Sequence, residues 1–299
     1  MVTAALIALF IVGLLVSVAV HEGGHFLFAR KFRMAVSDFS VGFGPRVLTW
    51  RRNGIAYNLR ALPLGGFVKI HGMRPSGALP DEPNGVRFVE RPAWQRAVVA
   101  FAGPAANVLF AWVLLIAIAL ALPMATGDGG TERMGPVEAT AAGTLVMVEV
   151  TNATVTGFAE VLQPAALADD LSSGYAGDPR EGDGVMSIVG VGGLIAAMTD
   201  GGTLNAEALL SVVMLLALIN IALAVFNLIP FVPLDGGHAA LAVIEGTVSR
   251  VRRMVDGFER WFLPEKLVSG ATIAGIAVLL AFGLSIIVLD IVNPVVLPA

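Results

Sequence analysis

The 299-residue sequence contains no cysteine. That excludes a disulfide framework, a thiolate zinc site, an iron–sulfur cluster and a cysteine nucleophile. Charge is also scarce: Asp, Glu, Lys and Arg make up 14% of the chain, against 56% hydrophobic residues and a mean hydropathy of +0.81. Soluble domains carry roughly 25% charged residues, so the composition excludes an ordinary soluble globular protein. The same apolar content excludes disorder. An excess of positive charge is missing too, and a net charge of −4 argues against a nucleic-acid-binding protein. What the sequence does have is long apolar runs. The expected fold class is an all-α polytopic membrane protein.

A hydrocarbon layer of about 30 Å takes roughly 20 mainly apolar helical residues to cross. Four stretches meet that length, at about Val2–Phe28, Ala97–Leu122, Ala208–Ile229 and Val268–Val292. The first lacks a basic leader and a cleavage site, so it reads as a span rather than a signal peptide. Charge sets the expected orientation. Arg30 to Arg96 holds 12 Lys/Arg and 4 Asp/Glu, Pro123 to Glu207 holds 2 and 12, and Gly236 to Leu267 holds 5 and 4. The basic loops fall on one side, and the positive-inside rule makes that side cytoplasmic, with both chain ends outside. This divides the chain into a first half of the membrane core (1–122), an outer segment (123–207) and a second half of the core (208–299).

Smaller elements fit around the spans. Val251, Met254, Val255, Phe258, Trp261 and Phe262 recur at helical spacing between arginines. This predicts a short amphipathic helix, either on the cytoplasmic leaflet or packed on protein. Thr140–Leu162 reads as an outer helix, and the Gly/Asp/Ser-rich run Ser172–Gly184 as a loop. Tyr57–Ile70 alternates in part, with Pro63-Leu64-Gly65-Gly66 as its turn, which predicts a small β-hairpin between the first two spans.

Ionisable residues inside a span cost about 2.5–3.5 kcal/mol each on insertion scales and call for a function. The first span carries His21, Glu22 and His25 in the order H-E-x-x-H. Four residues advance a helix by about 400°, so both histidines lie on one face where they can share a zinc ion, with Glu22 beside them as proton acceptor. A catalytic zinc normally takes three protein ligands. His71 and His238 are possible third ligands, and Asp235 is a better one. It closes the run Asn227-Leu228-Ile229-Pro230-Phe231-Val232-Pro233-Leu234-Asp235-Gly236-Gly237. Such Pro/Gly-broken backbone is tolerated at membrane depth only where protein buries it or a wet cavity faces it.

HEGGH in the first span and NLIPFVPLDGG after the third resemble the two motifs of the site-2 protease family of intramembrane zinc metalloproteases. GFGP at Gly42–Pro45, LPLGGFVKI at Leu62–Ile70 and AGPAAN at Ala102–Asn107 resemble its bacterial branch, typified by the regulator-of-sigma-E protease. The resemblance implies one zinc per chain held by His21, His25 and Asp235, with Glu22 as general base. It places Asn227 and Asn107 near the active site as amide donors. For Asn107 a plain helix–helix hydrogen bond is the competing reading, because Ala102 and Ala106 form a small-xxx-small face. It also implies that the hairpin re-enters the membrane and pairs with substrate through Leu62, Pro63, Leu64, Gly65, Gly66 and Phe67. A simple cytoplasmic hairpin is the alternative there.

The implied activity is a zinc metalloendopeptidase cutting in or near the membrane-spanning segments of other proteins, in a prokaryotic inner membrane. Its active site would face the cytoplasm, and its task would be signalling proteolysis or clearance of signal-peptide remnants. Members of this branch carry PDZ domains after the second span, and Pro123–Gly135 is too short for one. The partners expected are lipid and transmembrane substrates, with no nucleic acid, and nothing in the chain specifies an oligomeric state. A metal transporter and a non-cutting binder of transmembrane helices are the rival classes. Transporters commonly show paired halves, which are not visible here, and the intact Glu22 speaks against the binder.

Overall fold

The computed structural model describes residues 2–73, 85–125, 131–161, 163, 172–176, 206–255, 257 and 261–293. In chain order the elements are α1 (Val2–Lys31), β1 (Val36–Arg52), β2 (Ile55–Ile70), α2 (Ala93–Ala121), β3 (Pro123–Ala125), β4 (Thr131–Arg133), α3 (Pro136–Val161), α4 (Ala206–Leu228), α5 (Asp235–Val255) and α6 (Glu265–Val292). Among them α1, α2, α4 and α6 are long and apolar enough to cross a membrane. The protein is therefore a polytopic, mainly helical membrane protein with a β-hairpin between its first two spans.

Two compact units divide the chain. One comprises Met1–Val12, Ala111–Ala222 and Ile276–Ala299, the other Gly13–Phe110 and Leu223–Gly275. In the first unit α3 packs on α2. Gly143 lets the Ile116 backbone approach, and Trp112 donates its indole N–H to Thr144 at 2.9 Å. Pro136 occupies the first helical position of α3, and the Glu138 carboxylate accepts the Gly135 N–H at 3.0 Å, which together mark a capped helix start. The expected outer helix thus exists and begins four residues earlier than Thr140. Residues 172–176 are helical rather than loop, and Tyr175 and Gly174 find partners on α6 and just beyond its end. The Tyr175 hydroxyl donates to Ser285 O and the Asn293 amide to Gly174 O. The remainder of the expected loop lies outside the described residues.

The second unit contains the hairpin. Asn53 and Gly54 both have positive φ, 51° and 77°, the geometry of a two-residue turn matched to strand twist. Arg52 therefore faces Ile55, and the pairing continues to Arg46 opposite Arg60. Both strands then bend back. Gly42, Gly44 and Gly65 take positive φ of 88°, 81° and 80°, so that Asp38–Val41 lies between Ala56–Leu59, in parallel step, and Gly66–Lys69, antiparallel. Buried Asn58 ties the layers together, accepting from Thr49 Oγ1 at 2.8 Å and donating to Ser40 Oγ at 3.1 Å. A core of Ala29, Met34, Val36, Ile55, Ile70, Phe88 and Val99 fixes the hairpin base to the ends of α1 and α2.

Two expectations are corrected here. Pro63–Gly66 is not the hairpin turn: it lies inside β2, and Asn53-Gly54 makes the turn because only those two residues supply consecutive positive φ between the strands. GFGP forms a bend within β1. The expected amphipathic helix running through Phe262 is instead α5, which starts at Asp235 and stops at Val255. Gly257, at φ 71°, is a left-handed stop just beyond the helix. Trp261 returns to donate its N–H to Ser249 Oγ at 2.9 Å, and Phe258 lies outside the described residues.

Candidate active site

Helical spacing places His21 and His25 on one face of α1, and their Nε2 atoms stand 3.2 Å apart. The third partner comes from the break between α4 and α5. Pro230 and Pro233 cannot continue the helix, and the chain turns tightly before α5. Gly236 and Gly237 are required there, since a Cβ on the first would overlap Leu228 O and one on the second would lie 2.5 Å from Val232 N. Gly275 of α6 is equally tight against Val232 O. Held in this way, Asp235 at the start of α5 brings Oδ2 to 3.1 Å from His21 Nε2 and 3.3 Å from His25 Nε2.

The chemistry of this trio fits a divalent cation. His25 Nδ1 lies 2.7 Å from Val99 O, a carbonyl that can only accept, so Nδ1 carries the proton and Nε2 presents its lone pair. Asp235 Oδ2 is buried and accepts no hydrogen bond, although both imidazoles adjoin it. Lone pairs converging without a donor repel unless a cation lies between them. Ligand atoms about 2.0–2.1 Å from a tetrahedral zinc stand about 3.3 Å from one another, close to the three separations found. Among the described residues, His21, His25 and Asp235 form the one group of this kind.

Glu22 lies one residue from His21, about 100° around α1, and is buried. Its carboxylate faces the backbone N–H of Val68 in β2. Gly66, two residues earlier, is the point of closest approach: a Cβ there would lie 2.7 Å from Val18 Cγ1 and from Ser40 O, and 3.1 Å from Glu22 Cγ. The expected substrate-contacting run therefore borders Glu22. Leu62 faces Phe43 across the strands, Phe67 stacks on Phe43 at 6.4 Å, and Arg60 covers the Phe67 ring. Pro63, Leu64 and Gly65 complete the bend of β2. Among the described residues no strand pairs with the outer side of Gly66–Lys69.

AGPAAN is explained by close packing. Gly24 of α1 rests against Ala102 O, and a Cβ on Gly103 of α2 would overlap His25 Nε2. Asn107, one turn beyond Gly103, is fully buried, and neither of its side-chain polar atoms has a hydrogen-bond partner. Asn227 is half-buried in the last turn of α4. His71 is buried under the hairpin base, away from the trio, where burial and then Lys69 hold its imidazole below the ordinary range. His238 lies one turn into α5. Sequence reasoning missed Val68, whose contribution is a backbone N–H that no side-chain pattern can reveal. It also missed Gly103, although its place in AGPAAN was a usable signal.

Comparison with known proteins places the chain among metalloproteases. The description Peptidase family M50 matches residues 9–257. The zinc metalloprotease Rip1 of Mycobacterium tuberculosis is 30% identical over 356 aligned positions, covering 83% of this chain and 87% of that protein. Rip1 of Mycolicibacterium smegmatis is 40% identical over 118 residues, 38% of this chain and 29% of that one. "Probable membrane metalloprotease ARASP2, chloroplastic" of Arabidopsis thaliana is 39% identical over 110 residues, 36% and 24% of the two chains. Because 356 positions are needed to span 83% of a 299-residue chain, the first relative carries a long stretch with no counterpart here. The short Pro123–Gly135 connection has the same consequence for this chain.

Proposed function

The chain belongs to peptidase family M50, and from that premise we propose that it hydrolyses peptide bonds in or beside the transmembrane segments of membrane proteins. The single observation that carries the reading is the convergence of His21 Nε2, His25 Nε2 and buried Asp235 Oδ2 at 3.1–3.3 Å beside Glu22. His21, His25 and Asp235 are the residues to hold one zinc per chain. Zinc, when bound there, supplies a Lewis acid that polarises the scissile carbonyl and acidifies water.

The remaining chemistry belongs to side chains and backbone of this protein. Glu22, which faces the Val68 N–H, takes the proton from the attacking water and delivers it to the leaving amine. A transmembrane helix hides its peptide bonds, so a substrate must be unwound before cleavage. The open edge at Gly66–Lys69 gives the freed backbone new partners by strand addition. Leu62, Pro63, Leu64, Gly65, Gly66 and Phe67 line that approach. Exposed Phe43, Val47, Leu48, Trp50 and Leu62 on the hairpin suit contact with lipid. The unpartnered Asn107 amide, together with Asn227, supports a role in stabilising negative charge on the substrate carbonyl.

In this reading 1–122 and 208–299 form the catalytic membrane core, and 123–207 lies on the opposite side from the basic loops. The charge asymmetry supports an active site facing the cytoplasm and termini outside, in a prokaryotic inner membrane. The task is signalling proteolysis or removal of signal-peptide remnants. The deciding experiment measures zinc content and cleavage of a model transmembrane peptide on the same preparation. The parent should hold about one zinc and cleave, while Glu22→Gln should keep zinc and lose roughly 10²–10⁴-fold in rate. A parent that binds zinc without cleaving, or a Glu22→Gln variant that cleaves normally, overturns the proposal.

A further inference from the structure

The loop that carries Asp235 is gripped from two sides. On one side stands α5, whose Gly237 admits the chain so closely that a Cβ there would lie 2.5 Å from both Phe231 C and Val232 N. On the other stands α6. A Cβ on Gly275 of that helix would overlap Val232 O, and it would lie 3.0 Å from Pro233 Cδ and 3.1 Å from Phe231 Cε1. Val232 is therefore wedged between two helices, three residues before the ligand. No motif in the sequence marks Gly275, and α6 contributes none of the three groups in the trio.

The contact is narrow. From Glu265 to Ser285, Gly275 is the one buried residue of α6, while Ile273, Val278, Leu280 and Leu284 are 60–69% exposed. Inside a helix glycine is less favourable than alanine, so what it supplies here is room for the Val232 carbonyl. Glycine alone does not make such a contact: Gly270 and Gly283 on the same helix meet nothing within 4 Å.

An added side chain would have no harmless way out. Carbon and oxygen at close approach stand about 3.3 Å apart, so relieving the overlap takes a shift on the order of 1 Å. Withdrawal of α6 is opposed by the segment that leads into it. Glu245 of α5, paired with Arg96 Nη1 at 2.6 Å, accepts the Leu263 N–H at 3.2 Å, and Ser249 Oγ accepts the Trp261 N–H at 2.9 Å. The start of α6 is thus tied to the helix that begins with Asp235. The shift falls on the loop, and metal ligands hold their distances to within about 0.2 Å.

We propose that Gly275 is a positioning residue for the third metal ligand: by seating the Val232 carbonyl, it fixes Asp235 Oδ2 opposite His21 and His25. The inference rests on the reading of the trio as a metal site and adds to it a residue that touches no reacting atom. Cobalt(II) is the probe, because its visible absorption is intense in four-coordinate sites and weak in six-coordinate ones. The parent should take up cobalt with an intense band. Gly275→Ala should lose that intensity and release zinc to a competing chelator roughly 10–100-fold more readily, the range for groups that only orient a ligand. Its Tm without metal should match the parent's. Gly270→Ala and Gly283→Ala should match the parent in every readout. Independently of any variant, zinc should slow amide exchange in the parent at residues 272–278 of α6, because coupling between two sites is reciprocal. A parental cobalt spectrum and zinc affinity in Gly275→Ala, equal damage in either control, or exchange there that zinc leaves unchanged overturns the assignment. So does a variant that fails to fold, or that loses as much Tm without metal as with it, since Gly275 would then be structural only. A parent that takes up no cobalt overturns the metal reading itself, and this inference with it.

Discussion

Adding one methyl group at Gly103 should disable the metal site although Gly103 is not a ligand. An alanine Cβ there would lie 2.6 Å from His25 Cε1 and 2.9 Å from His21 Cε1, and it would overlap His25 Nε2. Carbon atoms in ordinary contact stand about 3.5 Å apart, so the His25 ring must retreat by roughly 0.9 Å. That retreat is opposed by the 2.7 Å bond from Nδ1 to Val99 O, on the same helix as Gly103. Separation of the helices would in turn break the contact of Gly24 with Ala102 O. Metal-ligand distances hold to within about 0.2 Å, so a displacement several times larger removes His25 from coordination. Disturbing groups that only support a ligand costs 10–100-fold in affinity. Losing a ligand should cost at least about 100-fold, roughly 2.8 kcal/mol at 1.4 kcal/mol per tenfold. Gly103→Ala is therefore expected to lose zinc to a competing chelator at about 100-fold lower chelator strength than the parent, with cleavage falling in parallel. Gly23→Ala is the control, because a Cβ at Gly23 meets nothing within 4 Å, and it should behave as the parent. Parental zinc affinity and turnover in Gly103→Ala, or equal damage in Gly23→Ala, would refute the reasoning.

Gly66→Ala should lower kcat by about tenfold, roughly 1.4 kcal/mol, with zinc content unchanged, because its Cβ would press on Ser40 O, Val18 Cγ1 and Glu22 Cγ and displace the Glu22 side chain. Steady-state kinetics and zinc analysis on one preparation check it, and an unchanged kcat would refute it. Arg96→Ala leaves buried Glu245 without its cation and should destabilise the protein by about 3–5 kcal/mol, whereas Arg96→Met/Glu245→Leu should recover most of that loss. Denaturation in detergent reads both, and equal stability of the single and double variants would contradict the buried-pair argument.

The pairing of the two histidines and the spans were legible because each rests on a local period. His21 and His25 need only 3.6 residues per turn, and α1, α2, α4 and α6 need only length and apolarity. Asp235 was legible in another way, through Pro230 and Pro233, which force a broken backbone where a ligand can project. The hairpin path was not, although the Asn53-Gly54 turn signal was present in the sequence. Pro63-Leu64-Gly65-Gly66 looked like the stronger turn, yet Gly65 and Gly66 serve a bend and a close approach to α1. The Arg96–Glu245 pair joins residues 149 positions apart, a separation at which no periodicity operates. The extent of α5 was masked because its first turns bury small residues, Gly236, Gly237, Ala239 and Ala242, and carry no apolar stripe for the eye to follow.

Glu22 shows why a membrane protease of this size needs a strand at all. On α1 the carboxylate points about 100° away from His21, so the helix that supplies it cannot also hold it. An isolated buried carboxylate would be expensive, and β2 turns the Val68 backbone N–H towards it. The hairpin can do so only because Gly66 lets its backbone reach α1, and because the core around Val36, Ile70 and Val99 anchors its base. The same short run, Gly66–Lys69, is paired on one side with Asp38–Val41 and, on the proposed mechanism, receives unwound substrate on the other. Substrate register and proton acceptor are then fixed by one stretch of backbone, so a shift that misplaces the substrate also misplaces the base. A mispaired peptide is accordingly penalised in the rate of cleavage as well as in binding, which gives a short chain a means of discrimination at the catalytic site itself.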